Sequence, residues 1–497
     1  MMPSSSQTAV DAVAERAAAV APEWAATELR VRAAALAAVA DALVTGRAEL
    51  VATAIEETGL SQARLDGELT RTAVQLRMFA EVIVDGAYLD VRIDEFDPDF
   101  ALGMRPDLRR YRIPVGPVVN FAASNFPFAF SVLGGDTASA LAAGCPVIVK
   151  GHPGHPRLSE QTLTVAVAAL ATAGAPAGTL QLVMGELAEI ELLNHSLIAA
   201  ASFTGSLRAG RMLADIAAAR PAPIPFFGEL GSLNPVFVTA GAIASDSQGI
   251  ASGFVASVSG SAGQLCTKPG LLFRPAGHGL TESLAEHAEQ VAEHRMLYPG
   301  IAKRYAEQRE RILSMDAVTV IAAGTFREDD RHQSWVTPTL VRVRAADLND
   351  VLLAEVFGPF SVVAEYEPDE NLAVLAATLF DGNLTSTIHR AAGEDGAPLR
   401  ALIDVLVATS GRLLFGGWPT GVAVTPAMQH GGPWPATTND SGTSVGSAAI
   451  SRFQRAITYQ SAQDDLLPQP LRDSNPWKVP QARHRAGDSE RWLQPFV

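Results

Sequence analysis

Cysteine is nearly absent from this 497-residue chain, which has only Cys145 and Cys266. Two thiols cannot build a disulfide framework, so a stapled secreted scaffold is excluded and a reducing compartment, the cytoplasm, is expected. Aromatic residues are also scarce, 6% against 48% hydrophobic residues overall. A core rich in Ala and Val suits helices packed on a parallel sheet better than an aromatic-rich β-sandwich. Positive charge is in deficit: 38 Lys and Arg face 53 Asp and Glu, a formal charge of −15. That excludes an extended surface for nucleic acid or anionic lipid, and an anionic small molecule would need a local basic pocket. No run of about 20 apolar residues occurs, and no basic segment followed by an apolar one opens the sequence, so neither membrane insertion nor secretion is expected. Internal repeats and low-complexity tracts are missing too. So is a strand-linked Gly-x-Gly-x-x-Gly, which leaves no common dinucleotide fingerprint.

What is present reads as α/β. From about Asp11 to Asp85 the period is helical, as in Val31 to Leu43 and Glu68 to Val84. Arg71 and Arg77, six apart, are expected close enough to one face to line a cleft. Asp94 to Arg112 loses the helical period and reads as a protruding hairpin. Strands and helices then alternate. Val115 to Phe121, Pro146 to Val149, Leu180 to Val183 and Ile198 to Phe203 read as strands, with helices from about Ser131, Ser159 and Glu186 between them. That order predicts a parallel sheet with right-handed crossovers, whose strand ends put Asn125, Lys150 and Thr204-Gly205-Ser206 on one rim. A second α/β unit covers roughly Leu271 to Leu414, with helices over Thr281 to His294 and Ile301 to Ser314. Beyond it come loops around Gln429 to Trp434 and Thr437 to Thr443, then a Pro-rich arm after Leu467.

Cys266 lies in Gly263-Gln264-Leu265-Cys266-Thr267, with Gly260 upstream and Pro269-Gly270 downstream. These breakers place the thiol on a turn, where it could be exposed and reactive if its thiolate is stabilised. Cys145, in Gly144-Cys145-Pro146, has no such setting and reads as core. Glu229, before Leu230-Gly231, stands 37 positions ahead of Cys266 at a strand end, from which the two could face each other across a cleft. His152-Pro153-Gly154-His155 has no acidic or cysteine neighbour, and no metal site is assigned to it or to any other segment.

Asn125, Lys150, Phe203-Thr204-Gly205-Ser206, Glu229-Leu230-Gly231, Gly263-Gln264-Leu265-Cys266 and Glu355-Val356-Phe357-Gly358-Pro359 occur in one order. Together they resemble the aldehyde dehydrogenase superfamily over about Ala18 to Gln460. The variants Val149-Lys150-Gly151-His152-Pro153, Ser206-Leu207-Arg208 and Gln429-His430-Gly431-Gly432-Pro433 are similar to the branch of 2-oxoglutarate semialdehyde (2,5-dioxopentanoate) dehydrogenases and NADP-linked fatty aldehyde dehydrogenases. The resemblance implies a fold of two Rossmann-type parallel-sheet domains plus a small oligomerisation excursion. It divides the chain into a dinucleotide-binding domain (1–93 and 115–231), a catalytic domain (232–436), and a hairpin with a C-terminal arm (94–114 and 437–497) that would build a homodimer or homotetramer.

The same resemblance implies the chemistry. Cys266 would add to an aldehyde carbon, and the Asn125 amide with the Cys266 backbone N–H would hold the oxyanion, a device worth about 3–4 kcal/mol per donor. The thiohemiacetal would become a thioester, which water activated by Glu229, with a raised pKa, would open. Gly205, Ser206 and the helix they open would take pyrophosphate. Lys150 and Glu355 would hold the riboses, and His152 and Phe357 belong to the same cofactor motifs. Pro153 stands where NAD-preferring relatives carry an acid, so no carboxylate repels a 2′-phosphate, and Arg208 could pair with it. NADP is therefore expected, with NAD possible. Arg71 is the candidate for a substrate carboxylate. Leu265, with apolar neighbours such as Phe121, does not separate a short dicarbonyl acid from a fatty chain. A broad or long-chain aldehyde dehydrogenase is thus the alternative, and a scaffold without catalysis or a coenzyme A acyltransferase is less favoured, since Glu229 is there to activate water.

Overall fold

A computed structural model describes residues 7–495. Its first layer is helical: α1 (Gln7–Ala26), α2 (Leu29–Thr45), α3 (Arg47–Thr58) and α4 (Gln62–Asp85). The Ser61 hydroxyl accepts from Arg64 N–H at the start of α4, and Gly86, at φ +74°, ends it in the left-handed conformation. β1 (Val91–Asp94) and β2 (Leu108–Pro114) follow as an antiparallel pair.

The alternation read from the sequence then takes shape as β3 (Val118–Phe121), α5 (Gly135–Ala143), β4 (Val147–Lys150), α6 (Pro156–Thr172), β5 (Leu180–Val183), α7 (Glu186–Asn194), β6 (Ala200–Thr204), α8 (Leu207–Ala219) and β7 (Phe226–Glu229). The five strands form a parallel sheet in the order β5-β4-β3-β6-β7. Crossovers run both ways from β3, so the carboxyl ends of β3 and its neighbours open on a switch point where such sheets take ligands.

The second unit contains β8 (Val236–Val238), α9 (Ala240–Ser259), β9 (Leu271–Pro275), α10 (Thr281–Glu289), β10 (His294–Arg295), α11 (Pro299–Leu313), β11 (Thr319–Ala322), β12 (Phe326–Glu328) and β13 (Ser334–Val336). It continues with β14 (Thr339–Arg344), β15 (Phe360–Tyr366), α12 (Leu372–Leu379), β16 (Asn383–His389), α13 (Ala397–Ala408) and β17 (Ser410–Phe415). Seven of its strands make a sheet ordered β11-β14-β15-β9-β8-β16-β17, parallel except at the β11 edge. The helix expected to run to His294 stops at Glu289, because His294 and Arg295 pair with Val336 and Trp335.

The Pro-rich tail was expected as an extended arm. It returns to its own chain, where β19 (Gln481–His484) runs parallel to β1; with β18 (Gln454–Gln460), which precedes the tail and pairs with β2, this gives a four-stranded sheet β18-β2-β1-β19. No described helix is long and apolar enough to cross a membrane.

Candidate active site

The turn carrying Cys266 is held by strain and by asparagine. Ser261, Ala262 and Gly263 all have positive φ, +53°, +54° and +64°, a conformation that costs an L-residue with a Cβ about 1–2 kcal/mol. Only glycine fits at the third position, since a Cβ on Gly263 would overlap the Gly358 carbonyl. Asn234, itself at φ +50° and buried, donates from Nδ2 to the Cys266 carbonyl (2.8 Å) and the Lys268 carbonyl (2.9 Å). Gln264 closes the turn by donating to the Ser261 carbonyl and accepting from Leu297 N–H.

Three separated segments meet at the Cys266 sulfur. His430 Nε2 lies 3.6 Å from Sγ and 3.0 Å from Glu229 Oε1. The donor atoms of Glu229, Cys266 and His430 all lie within 4.8 Å of one another. The ring nitrogen aims at sulfur, while Glu229 Oε1 sits off the hydrogen-bond direction, so the Glu229–His430 contact is an electrostatic pair. The other carboxylate oxygen of Glu229 accepts from the Ser444 hydroxyl. The loop delivers these groups because it runs along β7: Leu230 N–H donates to Ala436, Thr438 N–H to Gly228, and Ser444 N–H to the His430 carbonyl.

The fourth segment is the turn after β3. Asn125 Nδ2 donates to the Gln264 carbonyl at 3.1 Å, which uses one of its two N–H groups and leaves the other beside the Cys266 turn. α4 fixes this turn. Its buried Glu68 accepts from both Phe128 N–H and Ala129 N–H at 2.8 Å and pairs with Arg64, which donates to the Asn125 carbonyl. Arg71, one turn further along the same face, lies over Phe126 and Phe130, and its enclosed Nη1 has no hydrogen-bond partner. Arg77 does not share that face as expected. Six residues is well short of two helical turns, so it projects outward and pairs with Asp41 at 2.6 Å on the surface.

Electrostatics correct two expectations. Burial, with Glu229 and Glu355 adding to it, pushes the Cys266 thiol well above its ordinary range, and Arg71 only partly opposes this. The free protein therefore holds a neutral, partly buried thiol rather than a stabilised thiolate. Burial alone would raise Glu229, as expected, but His430, Ser444 and Arg452 outweigh it and hold its carboxyl below the usual range. Cys145 is fully buried, donates toward the Phe453 carbonyl, and is pushed up to about 11 by burial. Phe121 packs edge-on against Phe203 in a buried apolar cluster beside the first parallel sheet.

The expected cofactor residues lie along the rim. Ser206 caps α8 and accepts from Ala209 N–H, and Gly205, Ser206 and Arg208 are exposed there. A Cβ on Gly205 would fall 2.6 Å from the Phe203 ring, and one on Gly231 would meet the Glu355 carboxylate. An open helix N-terminus, a lysine, and a carboxylate held in a glycine notch suit a phosphate flanked by sugar hydroxyls. Burial raises Glu355 to about 7 and lowers its neighbour Lys268 to about 8, and Lys268 donates to the Val356 and Phe360 carbonyls. Phe357 is half-buried beside them. His152 packs against Tyr298, and burial with nearby His155, Lys150 and Arg304 keeps it neutral. The absence of an acid near Lys150 does not hold: α7 brings Glu189 to 3.2 Å from its ammonium.

The sequence profile of the aldehyde dehydrogenase family matches residues 1–389. The chain belongs to that family. It is 44% identical over 462 residues to alpha-ketoglutaric semialdehyde dehydrogenase 2 of Azospirillum brasilense, covering 92% of this chain and 87% of that protein. It is 41% identical over 433 residues to alpha-ketoglutaric semialdehyde dehydrogenase of Acinetobacter baylyi, covering 86% and 81%. Among solved structures, 1-pyrroline-5-carboxylate dehydrogenase superposes with a TM-score of 0.78 at 19% identity, over 92% of this chain and 86% of that one, which shows a shared fold. As a member of the aldehyde dehydrogenase family, the protein is an aldehyde-oxidising oxidoreductase that uses NAD(P).

Sequence reasoning did not assign roles to His430, Ser444 or Asn234. His430 stands 164 residues from Cys266 and Ser444 215 from Glu229, whereas Asn234 stands 32 before Cys266. The one available signal was the motif Gln429-His430-Gly431-Gly432-Pro433, in which a lone histidine precedes two glycines.

Proposed function

We propose that this aldehyde dehydrogenase oxidises 2-oxoglutarate semialdehyde to 2-oxoglutarate, with Cys266 as nucleophile, Asn125 as oxyanion donor and Glu229 with His430 as the proton carriers. The observation that carries the reading is the convergence of Sγ, an imidazole and a carboxylate beneath an arginine that has an unpartnered nitrogen. The two relatives named for this substrate support it.

A neutral thiol must lose its proton before it can attack. His430 Nε2 is the base in line with Sγ, and the ionised Glu229 beside it favours the imidazolium that results. Sγ then adds to the aldehyde carbon, and the oxygen takes up charge within reach of the second Asn125 N–H and the Cys266 N–H. When bound, NAD(P)+ supplies the hydride acceptor for that carbon. The chain's own groups, Lys150, Ser206, Glu355 and the N-terminus of α8, would hold it. The remaining thioester is opened by water whose proton passes to Glu229, with His430 sharing the load that a depressed carboxylate carries poorly alone.

Arg71 would receive the distal carboxylate, which satisfies Nη1 with a charge-assisted bond. Arg412, whose guanidinium donates to the Gly421 and Pro419 carbonyls and lies within electrostatic range of Cys266, would add positive potential from the second unit. NADP is used at least as well as NAD, through exposed Arg208 and without an acid at position 153, and Glu189 is the group that would oppose a 2′-phosphate. In this reading residues 1–93 and 115–231 bind the dinucleotide, 232–436 carry the nucleophile, and 94–114 with 437–497 assemble the oligomer.

The test is NAD(P)H formation across semialdehydes and n-alkanals, with both cofactors, for the native enzyme and Arg71→Met. The expected result is highest kcat/KM on the anionic C5 semialdehyde. Loss of a bond to a charged group, ~1.5–3 kcal/mol, should cut that value about 10- to 150-fold in the variant while alkanals change little. Equal losses on both substrate types would remove the Arg71 assignment, and higher native activity on long alkanals would favour the broad-specificity reading.

A further inference from the structure

The cluster at the centre of the site combines a thiol, an imidazole and a carboxylate, the donor set of zinc in proteins. We propose that Cys266, His430 and Glu229 form a binding site for Zn2+ that reversibly silences the enzyme. A tetrahedral zinc with bonds of about 2.3 Å to sulfur and about 2.0–2.2 Å to nitrogen and oxygen sets its ligand atoms roughly 3.3–3.6 Å apart. The observed separations bracket those edges: 3.6 Å for Sγ to Nε2 and 3.0 Å for Nε2 to Oε1, with no pair of the three beyond 4.8 Å.

The surroundings suit such a site. Glu229 and His430 are 4% and 1% exposed, so the ligands stand ready in low dielectric. Glu229 is already held by the Ser444 hydroxyl, a partner that orients a metal-binding carboxylate. The His430 backbone is held by bonds to Thr443 and Ser444, and its ring packs against Phe130, with Nδ1 buried and free of any hydrogen bond. The other cysteine is not a competitor, because Cys145 is fully buried.

Coordination replaces the sulfur–hydrogen bond with a sulfur–zinc bond. Zn2+ gives up at least one bound water for each of its three new ligands, the Sγ proton leaves to solvent, and the site gains one positive charge. No oxidant or reductant is needed. Because a thiol gives up its proton when it binds the metal, one proton is released per zinc and uptake should strengthen with rising pH. The bound metal occupies the lone pair that attacks the aldehyde and the nitrogen that would take its proton, so activity stops until a chelator removes it.

The experiment is calorimetric titration of the full-length enzyme with Zn2+ in buffers of different ionisation enthalpy, together with iodoacetamide labelling of Cys266 read by mass spectrometry. His430→Asn, Glu229→Gln and Cys266→Ser are titrated alongside, each first checked for a native melting transition. The expected result is one zinc per chain, one proton released, labelling of Cys266 blocked by zinc and restored by EDTA, and affinity lower by about tenfold or more in every variant. No uptake by the native enzyme would overturn the proposal, as would unchanged affinity in His430→Asn or Glu229→Gln, which would leave only a thiolate–zinc adduct. These readouts do not use the aldehyde, so a failure here is separate from failure of the substrate assignment.

Discussion

At the scale of single residues the site solves a problem that its own burial creates. The surroundings of Cys266 desolvate its thiol and so raise its pKa, and the carboxylates of Glu229 and Glu355 raise it further. A folded thiol with a raised pKa adds stability below the ordinary thiol range near 9, and that stability is lost as pH climbs through the folded value. Alkylation of Cys266 by iodoacetamide in the free enzyme should therefore be slow at pH 7 and still rising at pH 9–10, read as a pH–rate profile. Removing the nearby base should slow it at neutral pH: His430→Asn is expected to lower the rate about 10²-fold or more, within the usual span for a positioned general base. A plateau already reached near pH 7 would show the thiolate stabilised after all. Cys266, Glu229 and Asn125 were legible in the sequence because several weak motifs fell in register. His430 was visible only as a motif residue, since nothing in a linear order says that a loop after β17 folds back along β7.

At the scale of elements, α4 and the Cys266 turn are the two supports. α4 presents Arg64, Glu68 and Arg71 at a spacing that keeps them on one face, and these hold the Asn125 turn from one side. The turn itself rests on Gly263. Replacing Gly263 with Ala adds a Cβ at φ +64° against the Gly358 backbone, which should cost ~2 kcal/mol or more in stability and displace the sulfur. The measurement is urea unfolding beside kcat/KM; a variant that kept both would show that the turn can relax. Most elements of the two parallel sheets could be read beforehand from strand–turn–helix alternation, a local signal. What stayed hidden needed a distant partner. β10 exists because β13 pairs with it, and Arg77 was misplaced because six residues apart was taken as one face. Glu189 reaches Lys150 from a helix 39 positions on, which no local pattern near Pro153 could reveal.

At the scale of the whole molecule, the four-stranded sheet stands apart from the two parallel layers. Its outer strands, β18 and β19, each keep one unpaired edge, and unpaired edges are surfaces that proteins cover or use. Light scattering after size exclusion should give the mass of a dimer or tetramer of the 52.2 kDa chain. A monomer at micromolar concentration would remove the role proposed for this sheet. The sequence marked the segment as an excursion, because mixed charge and loss of helical period are local. It did not reveal that the tail would complete the sheet, because β1 and β19 are separated by nearly the full length of the chain.

That separation has a consequence for how the protein is made. Val91 meets Gln481 and Asp94 meets His484, so the sheet needs residues synthesised 390 positions after its first strand. At ~5–20 residues per second, β1 would wait roughly 20–80 s on the ribosome with one flank bare. The nascent chain thus carries a bare strand flank through the synthesis of all the residues between the two strands, until the segment Gln481–His484 seals it.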